Sequence, residues 1–412
     1  MKRLLLRTLV LAAFAMLALP LRAQVVKDQG YVPFGGAPIH YRSENLDDPI
    51  ARLQQRLDQG EVQLKHEGEH GYLKSVLELL RVPVSSQTLV FSKTSFQYPQ
   101  ISPEHPRALY FNDDVYVGQV HEGKALEFVS FDPMQGAIFY VLDEHKSDHP
   151  KFERAILDCI QCHVAASTQK VPGVMLRSIF TAPSGTQAGG TPSYITGHES
   201  PVKERWGGWY VTGRVGAQEN MGNQAKVESL DTTPYLARHS DVVAHLVLAH
   251  QTQMHNYITQ ANYQTRVAVA SAKYAEITQQ QIQKVVEPLV RYLLFANEAP
   301  LPEPVGGTSG YAEQFAALGP RDSKGRSLRD FDLQKRIFKY PCSYLIYSEA
   351  FDAIPSPAKE LVFSRMFEVL SGRDQSPEYA GLSTDDRRAI LEILVATKPS
   401  VPEEWKQFVR AQ

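Results

Sequence analysis

The hydrophobic pattern changes period along the chain, and this change restricts the fold more than any other feature. Between about residues 87 and 143, apolar residues recur at every second position, as in "RALYFNDDVYVGQV" and "ALEFVSFDPMQGAIFYVLD". Turn residues interrupt each stretch, so each predicts an antiparallel hairpin. Beyond about residue 236, as in "HSDVVAHLVLAHQTQMHNYITQANYQTRVAVASAKY", the apolar spacing is helical. The chain is therefore predicted to be α+β and mainly α, with a small antiparallel β region before a helical C-terminal half.

The same pattern divides the chain into four segments. Residues 1–23 are predicted to be a signal peptide, and residues 24–86 an N-terminal arm with short helices. Residues 87–235 are predicted to be a β-containing region that carries the cysteine motif described below. Residues 236–412 are predicted to be a helical region packed with it, where Ser383 is an expected helix N-cap.

The N-terminus has the parts of an export signal. Lys2 and Arg3 form a short basic region, and "LVLAAFAMLAL" is an apolar run too short to span a bilayer comfortably. Because residues 1–23 hold four basic and no acidic residues, their removal changes the net charge from −2 to −6. No basic stripe suited to nucleic acid is present. We expect a periplasmic or secreted protein that binds no nucleic acid and has no integral membrane segment after signal cleavage.

Two of the three cysteines lie in "RAILDCIQCHVAAST", where Cys159, Cys162 and His163 spell C-x-x-C-H. On a helix, cysteines three residues apart lie on one face about one turn apart. That spacing suits thioether bonds to the two vinyl groups on one edge of a protoporphyrin, and a histidine directly after the second cysteine suits the iron. The motif predicts one covalent haem c, with His163 as the proximal iron ligand.

Two other uses of a cysteine pair fit less well. Zinc would require a second ligand pair at finger-like spacing, and the sequence has no other C-x-x-C or Cys-His pair. A thioredoxin-like redox pair sits at the start of a helix within a βαβ unit, whereas the segment before Cys159 is predicted to be antiparallel. Export also favours haem c, which is attached outside the cytoplasm. We expect the third cysteine, Cys342, to be buried and inert among its apolar neighbours.

The sixth iron ligand has four candidates. His198 lies 35 residues after His163 in a loop rich in glycine and proline, and we expect it to be the distal ligand. Met221 lies in a similar loop, and Met175, twelve residues from His163, either ligates the iron or lines the haem edge. His250 lies on an apolar stripe of the predicted long helix, where it is either a core residue or a distal acid–base group.

Four further stretches around the single C-x-x-C-H motif give the chain a family resemblance. They are "YFNDDVYVG", "RWGGWYVTG", "HQTQMHN" and "YPCSYLIYSEAFD". With them the chain resembles large, exported, single-haem c-type cytochrome-like proteins of bacteria, over roughly residues 87 to 405. The resemblance implies covalent haem at Cys159 and Cys162 with His163 on the iron. It implies no particular activity, substrate or sixth ligand.

Three functions are compatible with one covalent haem. The first is electron transfer in the periplasm to redox partner proteins, by a haem with both axial positions filled. The second is a haem enzyme acting on peroxide or another small oxidant, with groups such as His250 and Tyr257 on an open distal face. The third is a haem-based sensor or binding module. We expect electron transfer, because no second C-x-x-C-H of the di-haem peroxidase kind is present, and we assign no residue a catalytic role.

Overall fold

The alternating segment forms a six-stranded antiparallel sheet whose strands follow one another in chain order. The computed structural model describes residues 33–224, 226–272 and 275–411. The strands of this sheet are β1 Thr88–Val90, β2 Arg107–Phe111, β3 Val115–Gln119, β4 Ala125–Asp132, β5 Gly136–Asp143 and β6 Glu153–Arg154. A two-stranded antiparallel sheet follows, formed by β7 Arg177–Ile179 and β8 Ser193–Ile195.

Both predicted hairpins are present, and a short polar side chain closes each turn. Asn112 lies between β2 and β3, and Asp132 ends β4 before β5. In each case the side-chain Oδ1 accepts hydrogen bonds from the backbone N–H groups two and three residues later, at 2.7–3.1 Å. Asn and Asp favour turns because their side chains can hold the backbone in this way. The antiparallel pairs β2–β3 and β4–β5 confirm the two hairpin predictions.

Helices dominate the C-terminal half of the described chain. In chain order the α-helices are α1 Pro49–Asp58, α2 Leu73–Leu79, α3 Leu157–His163, α4 Val242–Ala270, α5 Ala275–Leu293, α6 Tyr311–Ala317, α7 Glu349–Asp352, α8 Ser356–Leu370, α9 Thr384–Thr397 and α10 Glu403–Ala411. As predicted, Ser383 caps α9, and it forms a reciprocal capping box with Asp386. The α+β, mainly α, class is confirmed.

The structure does not test two predictions about how the chain is divided. The predicted signal peptide falls outside the described residues, and the predicted segment boundaries at residues 86 and 235 stay predictions. Among the helices of the described residues, none is long and apolar enough to cross a membrane.

The long helix α4 differs from its prediction in how it is buried. The sequence predicts one apolar stripe through His250, with His255 outside that stripe. In the structure every residue from 242 to 256 is buried, and the ring of His255 stacks on Phe131 with centroids 3.8 Å apart. Burial extends beyond the predicted stripe because α4 contacts β5, α5, α6 and α8 as well as the loop after the cysteine motif. No side of its first half faces water, so its polar residues are paired inside the protein.

Candidate functional site

The cysteine motif lies on the short helix α3, most of which is exposed. Of the seven residues of α3, only Ile160 is buried. Cys159 is half-buried, Cys162 is exposed, and neither forms a disulfide bond. Since the two cysteines are three residues apart on a helix, they lie on the same side of it, as the motif predicts. The third cysteine, Cys342, is fully buried, as expected.

The ring of His163 is held by the loop that follows α3, residues 164–174, which we call the motif loop. His163 Nδ1 donates a hydrogen bond to the Gly173 carbonyl oxygen at 2.8 Å, and the Gly173 N–H donates to the His163 carbonyl oxygen at 3.0 Å. Among the described residues no hydrogen bond reaches Nε2 of this ring. Histidines that bind metals usually donate their second ring N–H in this way. The bond places the proton on Nδ1 and leaves a lone pair on Nε2.

Three amide side chains fasten the motif loop to α4. Gln253 and Gln260 donate hydrogen bonds to backbone carbonyls in the first half of the loop, at 3.3 and 3.1 Å. Asn256 holds Val174 twice: its Oδ1 accepts from the Val174 N–H at 3.0 Å, and its Nδ2 donates to the Val174 carbonyl at 2.7 Å. The three amides share one side of the helix because they are spaced by three and four residues. A helix that lies 82 residues further along the chain thus fixes the loop.

The six-stranded sheet presents a half-exposed apolar face beside His163. The ring of Phe139 lies against the His163 ring, with centroids 4.8 Å apart. The strand register places Val129 opposite Phe139 and puts Leu109 and Val141 on the same face, and these three side chains are partly exposed. On the opposite face, Leu126, Phe128 and Leu142 are at most 3% exposed. A partly uncovered apolar surface of this kind is typical of a ligand site.

An ion pair on this face of the sheet contributes to the pKa shifts of His163 and Cys159. Arg107 Nη1 and Glu127 Oε2 are 2.8 Å apart, and each side chain is 15% exposed. Burial lowers the pKa of His163, and Arg107 lowers it further, while the hydrogen bond to the motif loop and the charge of Glu127 partly offset this. Burial raises the pKa of the Cys159 thiol to about 12, with Glu127 adding to the shift. His163 is therefore neutral at neutral pH, as a metal-binding histidine must be.

His198, the predicted distal ligand, lies in the protein interior beside His250. Their Nδ1 atoms are 2.8 Å apart, and His250 Nε2 is 2.8 Å from Ser343 Oγ. The His198 ring stacks on Tyr292 and Phe295, with centroid distances of 4.0 and 4.5 Å. We call these five residues the histidine core.

The histidine core is sealed. Both its histidines have 0% exposure. Burial lowers both pKa values, to about 3 for His198 and well below the ordinary value for His250. His198 Nε2 has no hydrogen-bond partner, yet it is enclosed. Among the described residues no hydrogen bond or ring contact joins the histidine core to His163. Iron ligation by His198 would require it to leave these neighbours, and its distal role stays a prediction.

The two methionine candidates lie in different places, and both are half-buried. Met175 directly follows the motif loop, and its Sδ accepts a hydrogen bond from Ser167 Oγ at 3.3 Å. Met221 Sδ lies 3.6 Å from Ser178 Oγ on β7. Its methyl group lies so close to Gly207 that a Cβ added there would approach it to 2.6 Å. Met175 thus contacts the motif loop, whereas Met221 packs against β7.

Comparisons with known proteins identify no relative of this chain. No family model, no curated protein and no solved structure matches it. Within the described ranges, no group of three or more His, Cys, Asp or Glu side chains is arranged to hold a metal ion. The function must therefore be inferred from the site itself.

Sequence reasoning missed two residues of this site, Gly173 and Asn256. The signal for Asn256 is the amide series Gln253, Asn256 and Gln260, spaced like one helix face. Gly173, in "VPGV", carries no such signal, because a glycine after a proline is typical of any turn.

Proposed function

We propose that the chain is an exported c-type cytochrome that binds one haem covalently through Cys159 and Cys162 and transfers single electrons to partner proteins. The observation that carries this proposal is the state of His163. Its Nδ1 is held by the Gly173 carbonyl, and its Nε2 has no hydrogen-bond partner among the described residues. A periplasmic or secreted location, and the resemblance to large single-haem cytochrome-like proteins, belong to the same proposal.

The residues of the site fit a haem in three respects. Cys159 and Cys162 are unbonded and one helical turn apart, which matches the spacing of two vinyl groups on one porphyrin edge. His163 is neutral, with the lone pair on Nε2. The sheet beside it offers Phe139 and a half-exposed apolar face on which a flat ring can pack.

When bound, the haem supplies an iron centre that gains and loses one electron. The chain's own residues determine where and how easily this happens. Cys159 and Cys162 would link the ring to α3, and the hydrogen bond from His163 Nδ1 to the Gly173 carbonyl would orient the imidazole that holds the iron. Because Cys162 is exposed, a thioether formed there would lie at the protein surface, where a partner can approach. Burial, hydrogen bonding and the axial ligands then set the reduction potential.

The haem-enzyme alternative gains no support from His250. A distal acid–base group needs a ring nitrogen available to the reacting molecule. Both nitrogens of His250 are hydrogen-bonded, one to His198 and the other to Ser343. Tyr257 is half-buried and packs on Tyr292 with ring centroids 5.0 Å apart. Electron transfer remains the function that we propose.

The test is covalent attachment of haem in a host that matures c-type cytochromes. We expect the wild-type protein to retain haem on a denaturing gel and the double variant Cys159→Ser, Cys162→Ser to lose it, because the thioethers can no longer form. Cys342→Ala is the matched control, and it should retain haem because Cys342 is buried in the core.

Two results would contradict the proposal. Covalent haem in the double variant would show that another residue carries it, and absence of haem from the wild type under proven maturation conditions would remove the cofactor altogether.

An optical spectrum before and after addition of carbon monoxide then distinguishes an electron carrier from a haem enzyme. A low-spin spectrum indifferent to carbon monoxide supports a carrier, whereas a high-spin spectrum that shifts with carbon monoxide indicates an open distal site.

A further inference from the structure

We infer that Asn256 is a positioning residue that sets the reduction potential of the iron through the motif loop, an inference that rests on the proposed haem site. Among the described residues, no hydrogen bond joins Asn256 to His163 directly. It holds Val174, which directly follows Gly173, and the Gly173 carbonyl accepts the hydrogen bond from His163 Nδ1.

The first step is the double hydrogen bond between Asn256 and Val174. The Asn256 amide occupies both the N–H and the carbonyl of Val174, at 3.0 and 2.7 Å. Asn256 is fully buried and Val174 is 6% exposed. Because water has little access here, loss of the amide would leave two backbone groups without partners, so the loop would have to move to satisfy them.

The second step is the close approach of Gly173 to the same amide. A Cβ built on Gly173 would lie 2.1 Å from Asn256 Oδ1, a distance that no side chain tolerates. The loop therefore passes the helix with only backbone between them, and glycine is required because of this approach. Asn256 and Gly173 form one fitted contact.

The third step runs from Gly173 to the imidazole. The Gly173 carbonyl accepts from His163 Nδ1 at 2.8 Å, and its N–H returns a bond to the His163 carbonyl at 3.0 Å. A loop held at Val174 thus keeps this carbonyl pointed at the ring. A strong hydrogen bond from the second nitrogen makes a histidine ligand more basic, and a more basic ligand stabilises ferric iron relative to ferrous iron. Loosening the loop should therefore raise the reduction potential.

The experiment is a redox titration of the holoprotein and of Asn256→Leu. Mutation of a residue that hydrogen-bonds a metal-bound histidine typically changes metal affinity or activity by ~10- to 100-fold. We expect at least about a tenfold change in the equilibrium constant for reduction, which is about 59 mV for a one-electron couple, in the positive direction. Gly173→Ala, which forces the same contact apart from the loop side, should shift the potential in the same direction.

Asn262→Leu is the matched control. Asn262 lies on the same helix, is 2% exposed, and donates its amide to the Ala353 carbonyl at 3.1 Å rather than to the motif loop. The reduction potential of the Asn262→Leu variant should equal that of the wild type. If Asn256→Leu does not accumulate, Asn256→Ala and Gly173→Ala provide the same measurement.

The outcomes separate the two levels of inference. Covalent haem with an unshifted potential in the Asn256 and Gly173 variants overturns the positioning role and leaves the haem site intact. An equal shift in Asn262→Leu also overturns it, since general loosening of α4 would then be the cause. Absence of covalent haem from the wild type overturns the proposed function, and the role of Asn256 falls with it.

Discussion

The motif helix α3 and the histidine core present chemically similar histidines in opposite surroundings. His163 and His198 each have Nδ1 in a 2.8 Å hydrogen bond, and in each the described residues leave Nε2 without a partner. The difference is access, because His163 keeps part of its surface exposed while His198 has 0% exposure between Tyr292, Phe295 and His250. A free nitrogen is therefore only one requirement for a metal ligand; the second is an open approach to it.

The largest expected effect comes from replacing each of these two histidines by alanine. In the haem-free chain, His198→Ala should lower the free energy of unfolding by about 3 kcal/mol, because it leaves a cavity and deprives His250 Nδ1 of its partner. His163→Ala should cost only about 1 kcal/mol, since it removes a partly exposed ring and one hydrogen bond. Urea unfolding of both variants measures the difference, and equal losses would show that the two sites are equally closed.

In a protein loaded with the proposed haem, the same pair of variants tests the proposed iron ligands. His163→Ala should lose the low-spin spectrum. If His198 is the distal ligand, as its loop position predicts, His198→Ala should also become high-spin. An unchanged low-spin spectrum would remove His198 from the iron and direct attention to Met175, which contacts the motif loop.

An intermediate effect is expected from pH. Burial, with a contribution from Arg205, lowers the pKa of His198 to about 3, so the folded protein keeps it neutral while the unfolded chain protonates it below about pH 6.5. The stability contributed by neutral His198 is fully present above that pH and is lost as the pH falls. The cost of His198→Gln should therefore shrink by on the order of 1.4 kcal/mol per pH unit between pH 6.5 and 4.

This pH effect must be measured as a difference between variant and wild type. Buried carboxyl groups act in the opposite direction, because burial raises the pKa of Asp114, Glu144 and Glu298 to about 7 in each case. Urea titrations of both proteins at pH 7 and pH 5 cancel these contributions. A cost of His198→Gln that is the same at both pH values would show that His198 does not remain neutral in the folded state.

The smallest effect is kinetic and compares the three thiols. In the folded chain without haem, alkylation should be fastest at exposed Cys162 and at least about tenfold slower at half-buried Cys159, whose thiol pKa is raised to about 12. Cys342, with 0% exposure, should react only after unfolding. Iodoacetamide time courses on Cys159→Ser and Cys162→Ser, followed by mass spectrometry, separate the sites. Comparable rates at Cys159 and Cys342 would contradict the half-open position of the motif.

Local patterns predicted much of this molecule, and long-range contacts account for the rest. The two hairpins, the Ser383 cap and the motif helix follow from residues within a few positions of one another. The burial of His255 does not, because it depends on a β-strand more than a hundred residues earlier that supplies Phe131. The same holds for Asn256, whose partner lies 82 residues away. A residue's own segment cannot show what a distant segment will place against it.

The contact between Asn256 and Val174 also has a consequence in time. A chain is made from its N-terminus at roughly 5–20 residues per second, so the 82 residues between the two partners take roughly 4–16 s to appear. During that interval α3 and its two thiols exist without the helix that later fastens the loop behind them. The two cysteines of the nascent chain are therefore made before the contact that later fixes the motif loop can form.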